Sequence, residues 1–536
     1  MSETVDLIHL GDDHRAVITW PSGNVWPVKE TTPRAVQAFI REKLPHTQAR
    51  AWLFWHSDLG MPDEALVTSL LSQPGNVWHA GLRLGMAGLP GAIDFVSPGW
   101  MLNRDPGPGI EATSWRVSLH ACLILTDVLR QMGGLGEGFR TLAGASLEMG
   151  HRYITRGVFM RHVPALAGDA PPAPSCELPF EDELRFIYYR FGRKWLVWTW
   201  ARALMTGYVS PGTVIRALGA VMRSERPANP TPYRQPEKEP GRSTGADDDP
   251  RSARVSVLIP TLDRYPYLRT LLDQMRAQSV PPLEILVIDQ TEAERRDEAF
   301  YEVFEDLPLR VIFRDKPGQC SSRNAGLLAA RGDCVLFIDD DDEVPPDLIE
   351  AHLENLSMFE GQVSSGAAHE VGAGPLPEPF TYLRASDVFP TNNTLIQRGV
   401  LGESGLFDLA YDHAARADQD LGMRIYLSGA VMVYNPDIAV LHHHAPRGGL
   451  RSHKARVITY ASSRRRLTHR HLPSVSEIYL LKRYFTERQV RESLWLRALG
   501  TFSVRGGVVK KLLKVLVSLF LLPDTWWQIR QRSREA

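Results

Sequence analysis

Cysteine is scarce, with 4 in 536 residues. Cys122, Cys176, Cys320 and Cys334 lack metal-ligand spacing and sit in ordinary periodic segments, so they read as reduced core residues of a cytoplasmic protein. Long apolar runs are also missing. Nothing approaches the roughly 20 residues needed to cross a bilayer core. The N-terminus, MSETVDLIHLGDDH, has neither a basic segment nor an apolar stretch, which argues against a secretory signal. Net charge is close to absent, at −1. Hydrophobic residues at 43% and charged residues at 23% fit a folded soluble protein, not a disordered chain or a polytopic membrane protein. At this length two to four domains are expected.

The neutral balance conceals an asymmetry. From Arg447 to the C-terminus there are 20 Lys or Arg against 5 Asp or Glu, so this tail carries +15 and the rest −16. Such a split points to an anionic partner, a membrane surface or nucleic acid.

The clearest boundary is residues 224–252, rich in Pro, Arg, Glu, Asp and Gly, which reads as a linker. A shorter segment, AGDAPPAP at 167–174, separates the first block, 1–170, from a helical segment at 171–223. After the linker, short apolar runs alternate with helical periodicity. The strands are VSVLIP at 255–260, EILVID at 284–289, Arg310 to Phe313 and Cys334 to Ile338. The helices carry Leu268, Leu271, Leu272 and Met275 on one face, or run from Ser321 to Ala330. This predicts an α/β domain with a mostly parallel sheet covered on both faces. Ligands bind such sheets at the carboxyl ends of the strands. Polar residues stand at those ends: Thr261, Asp263 and Arg264, then Asp289, then Asp339 to Asp342.

Four consecutive aspartates after an apolar strand raise one another's pKa unless something neutralises them. Hard oxygen ligands select Mg²⁺ or Mn²⁺, with a diphosphate completing the shell. The plainer alternative is a solvated acidic turn before the helix start at Pro345, Pro346 and Asp347.

The surrounding residues favour the metal. VSVLIPTLDR (255–264), VIDQ (287–290), SSRNAGLLAARGDCVLFIDDDDEVPPDLI (321–349), TNNTLIQRGVL (391–401) and ADQDLGMRIYLSG (417–429) follow one another in order. Together they resemble the inverting family 2 glycosyltransferases of the GT-A fold, over residues 253–445. The resemblance implies a nucleotide-sugar donor, with a bias toward UDP, held by Pro260, Thr261, Asp263 and Asp289 around base and ribose. It makes Asp339 and Asp341 the Asp-x-Asp pair, with Asp341 the direct metal ligand and Asp340 near the donor. Arg323 falls within reach of the pyrophosphate, a structural role at the helix start being the alternative. The family's Glu-Asp pair reads Ala417-Asp418 here, so Asp418 is the implied general base, with Asp420 as a supporting or capping group. In the triplet His442 to His444, His442 is the implied metal contact and His444 the next candidate.

The chain also repeats itself. Cys122 to Pro164 aligns without gaps to Thr394 to Pro436 at an offset of 272, with 12 of 43 pairs identical. Gly133, Gly150, Arg152, Gly157 and Pro164 are among the identities, and the same offset later pairs Tyr188 with Tyr460 and Arg193 with Arg465. Upstream, AWLFWHSDLGMPDEAL at 51–66 resembles CVLFIDDDDEVPPDLI at 334–349. In this first copy the Asp tetrad reads His56, Ser57, Asp58 and Leu59. The base position is Ser146, and the His triplet falls on Ala170, Pro171 and Pro172. Residues 1–170 therefore read as a degenerate, catalytically dead GT-A-like domain, serving acceptor binding, dimerisation or support.

The C-terminal region, 446–536, ends in GGVVKKLLKVLVSLFLLPDTWWQIRQR. Its Lys510, Lys511, Lys514 and Arg530, apolar face and paired Trp526 and Trp527 fit a helix lying in a membrane interface. A helix packed on the protein, or a dimer contact, is the alternative, and no nucleic-acid module accompanies the charge. The expected whole is a metal-dependent enzyme at the inner face of the cell membrane, adding a sugar to a glycan or lipid-linked glycan. A non-catalytic glycan-binding assembly protein and a nucleotidyltransferase are the competing classes. The latter lacks its Gly-rich basic loop, since IPTLDRYPY shows none.

Overall fold

The computed structural model describes residues 4–11, 20–86, 90–96, 99–170, 177–236, 250–445 and 466–536. Cys176, Pro171, Pro172 and residues 446–465, Tyr460 and Arg465 among them, lie outside these residues. Cys122, Cys320 and Cys334 are free and buried, as expected of core thiols.

The first half forms one sheet from β1 (Val5–Leu10), β2 (Val25–Val28), β3 (Ala51–His56), β4 (Val77–His79), β5 (Ala112–Thr113), β6 (Ala121–Leu125) and β7 (Met160–His162), in the order β2-β1-β3-β6-β4-β7-β5. The second half contains β8 (Val255–Thr261), β9 (Glu284–Asp289), β10 (Leu309–Phe313), β11 (Cys334–Phe337), β12 (Asp342–Glu343), β13 (Val363–Glu370), β14 (Arg384–Ala385), β15 (Thr394–Gln397) and β16 (Met432–His442). Its order is β10-β9-β8-β11-β15-β13-β16-β12, with β14 paired to β16.

Removing β10 and β12 leaves β9-β8-β11-β15-β13-β16-β14, the order of the first sheet strand for strand. The senses agree as well. In each sheet the first three strands are parallel. The next strand is antiparallel to both its neighbours, the following pair is parallel and the last strand antiparallel. The central strands are apolar on both faces, as strands buried between helical layers must be; β1, β6 and β9 are buried along their whole length.

The repeated residues have repeated jobs. Arg152 donates through Nε to Glu148 (3.2 Å) and through its terminal nitrogens to the carbonyls of Met132 and Gly134. Arg424 does the same to Asp420 (3.0 Å) and to the carbonyls of Ser404 and Leu406, each partner 272 residues further on. Gly133 and Gly405, at φ 73° and 74°, end the preceding helices in a left-handed conformation that favours glycine. Three helices follow each sheet: Phe180–Phe191, Arg193–Thr206 and Pro211–Met222 after the first, Val475–Tyr484, Glu487–Gly500 and Val508–Glu535 after the second. The leading helix of each set returns an arginine to the same acidic position, Arg190 to Glu148 (3.5 Å) and Arg483 to Asp420 (3.0 Å).

The two halves share one continuous apolar core, and their contacts are reciprocal. A Cβ on Gly157 would stand 2.6 Å from the carbonyl oxygen of Leu383, and one on Gly429 would stand 2.5 Å from that of Glu111. The 272-residue offset relates both members of one contact to those of the other. Such self-complementarity is the mark of an isologous, two-fold interface, here formed within one chain. Tyr382 donates to the carbonyl of Thr155 (2.6 Å), and Phe159 stacks on Phe359 (4.6 Å between centroids). The linker expected at 224–252 departs from a free spacer at its start: Tyr233 is buried, and its hydroxyl donates to Asp127 (3.2 Å) while its backbone N–H donates to Arg156 (2.7 Å).

The reciprocal glycines give a direct test. Gly168 also has positive φ (56°) but open space around its missing Cβ, so Gly168→Val reports backbone strain alone, about 1–3 kcal/mol. Gly157→Val and Gly429→Val are expected to lower the melting temperature further than Gly168→Val and by similar amounts. Equal losses in all three would dissolve the interface argument.

Candidate functional site

The acidic run leaves β11 at the carboxyl end of the parallel strands, and each aspartate has a separate partner. Asp340 is buried, accepting from Thr261 Oγ1 (2.8 Å) and Arg264 Nη1 (2.7 Å). Burial, the nearby Asp341 charge and the opposing Arg264 leave its carboxyl pushed up to about 6. Asp341, also buried, accepts through Oδ2 from the backbone N–H of Ala445 (2.7 Å) and through its carbonyl from that of His443 (2.9 Å). Its Oδ1 lies 3.0 Å from Arg264 Nη1 yet has no hydrogen bond of proper geometry. Asp339 is half-exposed beside Arg323 (3.0 Å). Asp342 faces back into the fold and meets His442 Nδ1 at 2.7 Å.

The last contact follows from register, because β12 pairs with β16 so that Asp342 stands opposite His442. Burial works against charge on His442, but the Asp342 hydrogen bond and the charges of Asp342, Asp339 and Asp341 overcome it and push the imidazole up to about 9. Asp339, Asp341 and His442 can each present one ligand atom within 4.8 Å of the others. A buried carboxylate oxygen within that set, with ion-pair contacts but no hydrogen bond of proper geometry, fits a hard divalent cation, and two carboxylates with one imidazole suit Mn²⁺ or Mg²⁺. The cation is not the only answer to the clustered charge: Arg264 supplies part of it.

A cleft beside the run is lined by Pro260, Thr261, Arg264, Gln290, Arg323, Asp339 and Asp340, and a second on its other side by Tyr267, Asp341 and His443. Pro260, Thr261, Arg323, Asp339 and Asp340 thus meet as expected. Asp289 does not. It is fully buried, accepting from Tyr265 and Tyr301 hydroxyls (2.8 and 2.9 Å) and the N–H of Thr291 (2.9 Å). Successive strand residues face opposite ways, so Gln290, not Asp289, lines the cleft. Asp263 likewise turns outward to an ion pair with Arg295 (2.6 Å).

Asp418 lies in the first turn of the helix Ala417–Leu427. Burial raises its carboxyl above the ordinary range against the Gln419 N–H and the Arg416 and Arg323 charges. Arg323 lines the cleft and pairs with Asp339 (3.0 Å), and its charge is also felt by Asp418. Its Nε is buried without an acceptor. Asp420 is saturated by Arg424, Arg483 and Tyr484 and is fully buried. Among residues missed by sequence reading, Asp412 accepts from the N–H groups of Cys320 and Ser321 (both 2.8 Å) and fixes the approach to Asp418 against the helix Gln319–Ala329. An isolated Asp in a loop gave no signal.

The model of glycosyl transferase family 2 matches residues 256–401. Within the second half, this stretch is thus similar to glycosyl transferase family 2. Among curated proteins, the glycosyltransferase YwdF of Bacillus subtilis is 37% identical over 99 residues, 18% of this chain and 36% of that protein. The amylovoran biosynthesis glycosyltransferase AmsB of Erwinia amylovora is 29% identical over 111 residues, 20% and 37%. The chain thus spans about a third of the length of the relatives it matches. Among solved structures, S. aureus TarS 1–349 with UDP-GlcNAc is 17% identical at a TM-score of 0.37, covering 52% of this chain and 88% of that one. Mannosyltransferase PcManGT of Pyrobaculum calidifontis with GDP-Man and Mn²⁺ gives 18%, 0.34, 52% and 85%.

Because His442 holds a proton up to about pH 9, a cation taking it as a ligand must displace that proton. Mn²⁺ binding at pH 7.5, followed by calorimetry in buffers of different ionisation enthalpy, is expected to release about one proton per ion. His442→Gln removes that release. Unaltered proton release in the variant excludes His442 from the ligand set.

Proposed function

We propose that residues 253–445 transfer one sugar, with inversion, from a nucleotide-sugar donor, UDP favoured, to a hydroxyl of a glycan or lipid-linked glycan. The observation that carries this reading is the cluster of Asp339, Asp341 and His442, whose ligand atoms lie within 4.8 Å of one another beside the cleft at the carboxyl end of the parallel strands, within the residues that match glycosyl transferase family 2.

Asp339, Asp341 and His442 would hold Mg²⁺ or Mn²⁺, which when bound stabilises the charge developing on the leaving diphosphate. Pro260, Thr261 and Asp340 shape the donor side, with Gln290 replacing Asp289 on the cleft wall. Arg323, on the cleft wall beside Asp339, would approach the diphosphate. Asp418 takes the proton of the acceptor hydroxyl as that oxygen bonds to the anomeric carbon from the face opposite the diphosphate and the bond to the diphosphate breaks. A carboxylate raised by burial is better matched to that step than an ordinary one. Asp418→Asn is expected to lower turnover by about 10² or more while donor affinity holds, since general-base assistance supplies roughly 10²–10⁴. Asp341→Asn should abolish turnover together with metal-dependent stabilisation by nucleotide. Loss of donor binding in Asp418→Asn, or full turnover in Asp341→Asn, removes the respective role.

The first half does not share this chemistry, on our reading. Ser146 stands where Asp418 does, and strand register puts Lys29 at the place of Asp289 and Gly11 at that of Thr261.

The second element of the proposal is attachment to an anionic membrane surface through the helix Val508–Glu535. Among the described residues no helix is long and apolar enough to cross a membrane. In this one Lys514, Ser518 and Thr525 are buried together with Ile529, while Val508, Val509, Leu512, Leu516, Leu519 and Phe520 are exposed, Phe520 by 85%. Lys514 Nζ donates to the carbonyls of Leu467 and His469, and Trp526 packs on Trp495. An outward apolar stripe flanked by Lys510, Lys511 and Arg505 fits an anionic bilayer surface. Leu516→Asp/Phe520→Asp should release the protein from phosphatidylserine vesicles and spare turnover of a soluble acceptor. Retained vesicle binding, or conversion of a dimer to monomer by the same change, would assign the stripe elsewhere.

A further inference from the structure

The first half contains a second cluster with metal-ligand geometry, at the place corresponding to the acidic run of the second half. β3 and β6 are antiparallel with Ala51 opposite Leu125 and Trp55 opposite Ala121. One step further, His56 stands opposite His120, its N–H donating to the His120 carbonyl (2.8 Å). Directly opposed residues have Cβ atoms about 4.5–5.5 Å apart, and the two imidazoles stack with centroids 4.4 Å apart and planes 18° apart. Asp58 follows two residues after His56, with Oδ1 2.6 Å from His56 Nδ1. His56, Asp58 and His120 can each offer one ligand atom within 4.8 Å of the others. Ser118 Oγ lies 3.4 Å from His120 Nδ1, a contact of the kind that orients a ligand imidazole.

Position makes this more than a surface histidine pair. β3 runs parallel to β1 with His56 beside Leu10; continuing the β8–β11 register puts Asp339 beside Pro260. His56 therefore occupies the place of Asp339 and Asp58 that of Asp341, while His120 lies 272 residues before Asn392. The substitutions Asp to His and Asn to His leave the backbone frame and change the donors, from hard oxygen to two imidazoles and one carboxylate. That set suits Zn²⁺ and other late first-row ions and is poorly matched to Mg²⁺.

We propose that His56, His120 and Asp58 bind a Zn²⁺-type divalent ion in the first half, independent of the cation in the second. The site keeps the position of a metal centre but has no general base, with Ser146 at the corresponding place. The bound ion fixes the start of β6 and the turn after β3 at the carboxyl edge of the sheet. It takes no part in sugar transfer.

The test uses the full chain carrying Asp341→Asn, which silences the other cluster. Zn²⁺ is titrated calorimetrically, and Co²⁺ is followed by its visible d–d absorption. One ion of each is expected to bind, with excess Mg²⁺ not competing. His120→Gln and His56→Gln in the same background should each weaken binding at least tenfold and change the Co²⁺ spectrum, with circular dichroism and metal-free melting temperature unaltered. Sugar transfer by the otherwise native chain should be unchanged by His120→Gln. Absence of Zn²⁺ binding in the Asp341→Asn protein, or binding that is unaffected by both histidine changes, overturns the proposal. A His120→Gln chain that folds normally yet loses transfer overturns the independence of the two sites.

Discussion

Charge confinement at the carboxyl end of β11 governs much of the second half. Asp340, Asp341 and Asp342 are buried within three consecutive residues, and each buried carboxylate costs several kcal/mol unless compensated. Compensation comes from three directions. Arg264 reaches in from the end of β8, Arg323 from the helix that follows β10, and His442 from the end of β16. Each of these elements is thereby tied to the acidic run, and the backbone N–H groups of His443 and Ala445 close over Asp341. The arrangement leaves one buried oxygen, Asp341 Oδ1, close to Arg264 (3.0 Å) but without a hydrogen bond of proper geometry, and this is the oxygen that the proposed cation would take.

The reciprocal packing of the halves adds a constraint of its own. Glycine at 157 and 429 permits a carbonyl from the opposite half to approach where any side chain would collide. Both positions are needed, because an isologous contact is made twice. The first half has His56, Ser57 and Ser146 where the second has Asp339, Asp340 and Asp418, and it keeps this surface. Retained scaffold residues beside altered chemical ones is the pattern the two copies show.

Much of this was legible from the sequence. The strand and helix alternation of the second half followed from apolar runs too short for helices and helical faces too regular for strands. The repeat was legible because glycine and arginine positions with backbone roles tolerate few substitutes. The facing of individual side chains was not legible. Asp289 and Gln290 are adjacent at a strand end, and only the positions of Tyr265 and Tyr301 decide which one turns inward. Asp412 carried no periodic or motif signal, and its use is seen only when two distant loops meet. The His56, His120 pair escaped because its members are 64 residues apart in the chain and meet through strand pairing.

The terminal helix shows how far an amphipathic pattern can mislead about direction. Periodicity gives a polar and an apolar face, and in a globular protein the apolar face ordinarily packs inward. Here Lys514 is almost wholly buried and Phe520 almost wholly exposed. A lysine is accepted inside because its ammonium caps two carbonyls, and Ser518 and Thr525 satisfy themselves on the Thr501 and Leu521 carbonyls. The inner face thus combines buried Ile529 with hydrogen bonds that cost little to bury, while nine large apolar residues of the helix stay exposed. That exposure is unfavourable at roughly 25 cal/mol per Å², and nothing else in the described chain covers it. These exposed residues, with Lys510 and Lys511 beside them, are what support the proposal that the helix attaches to an anionic surface.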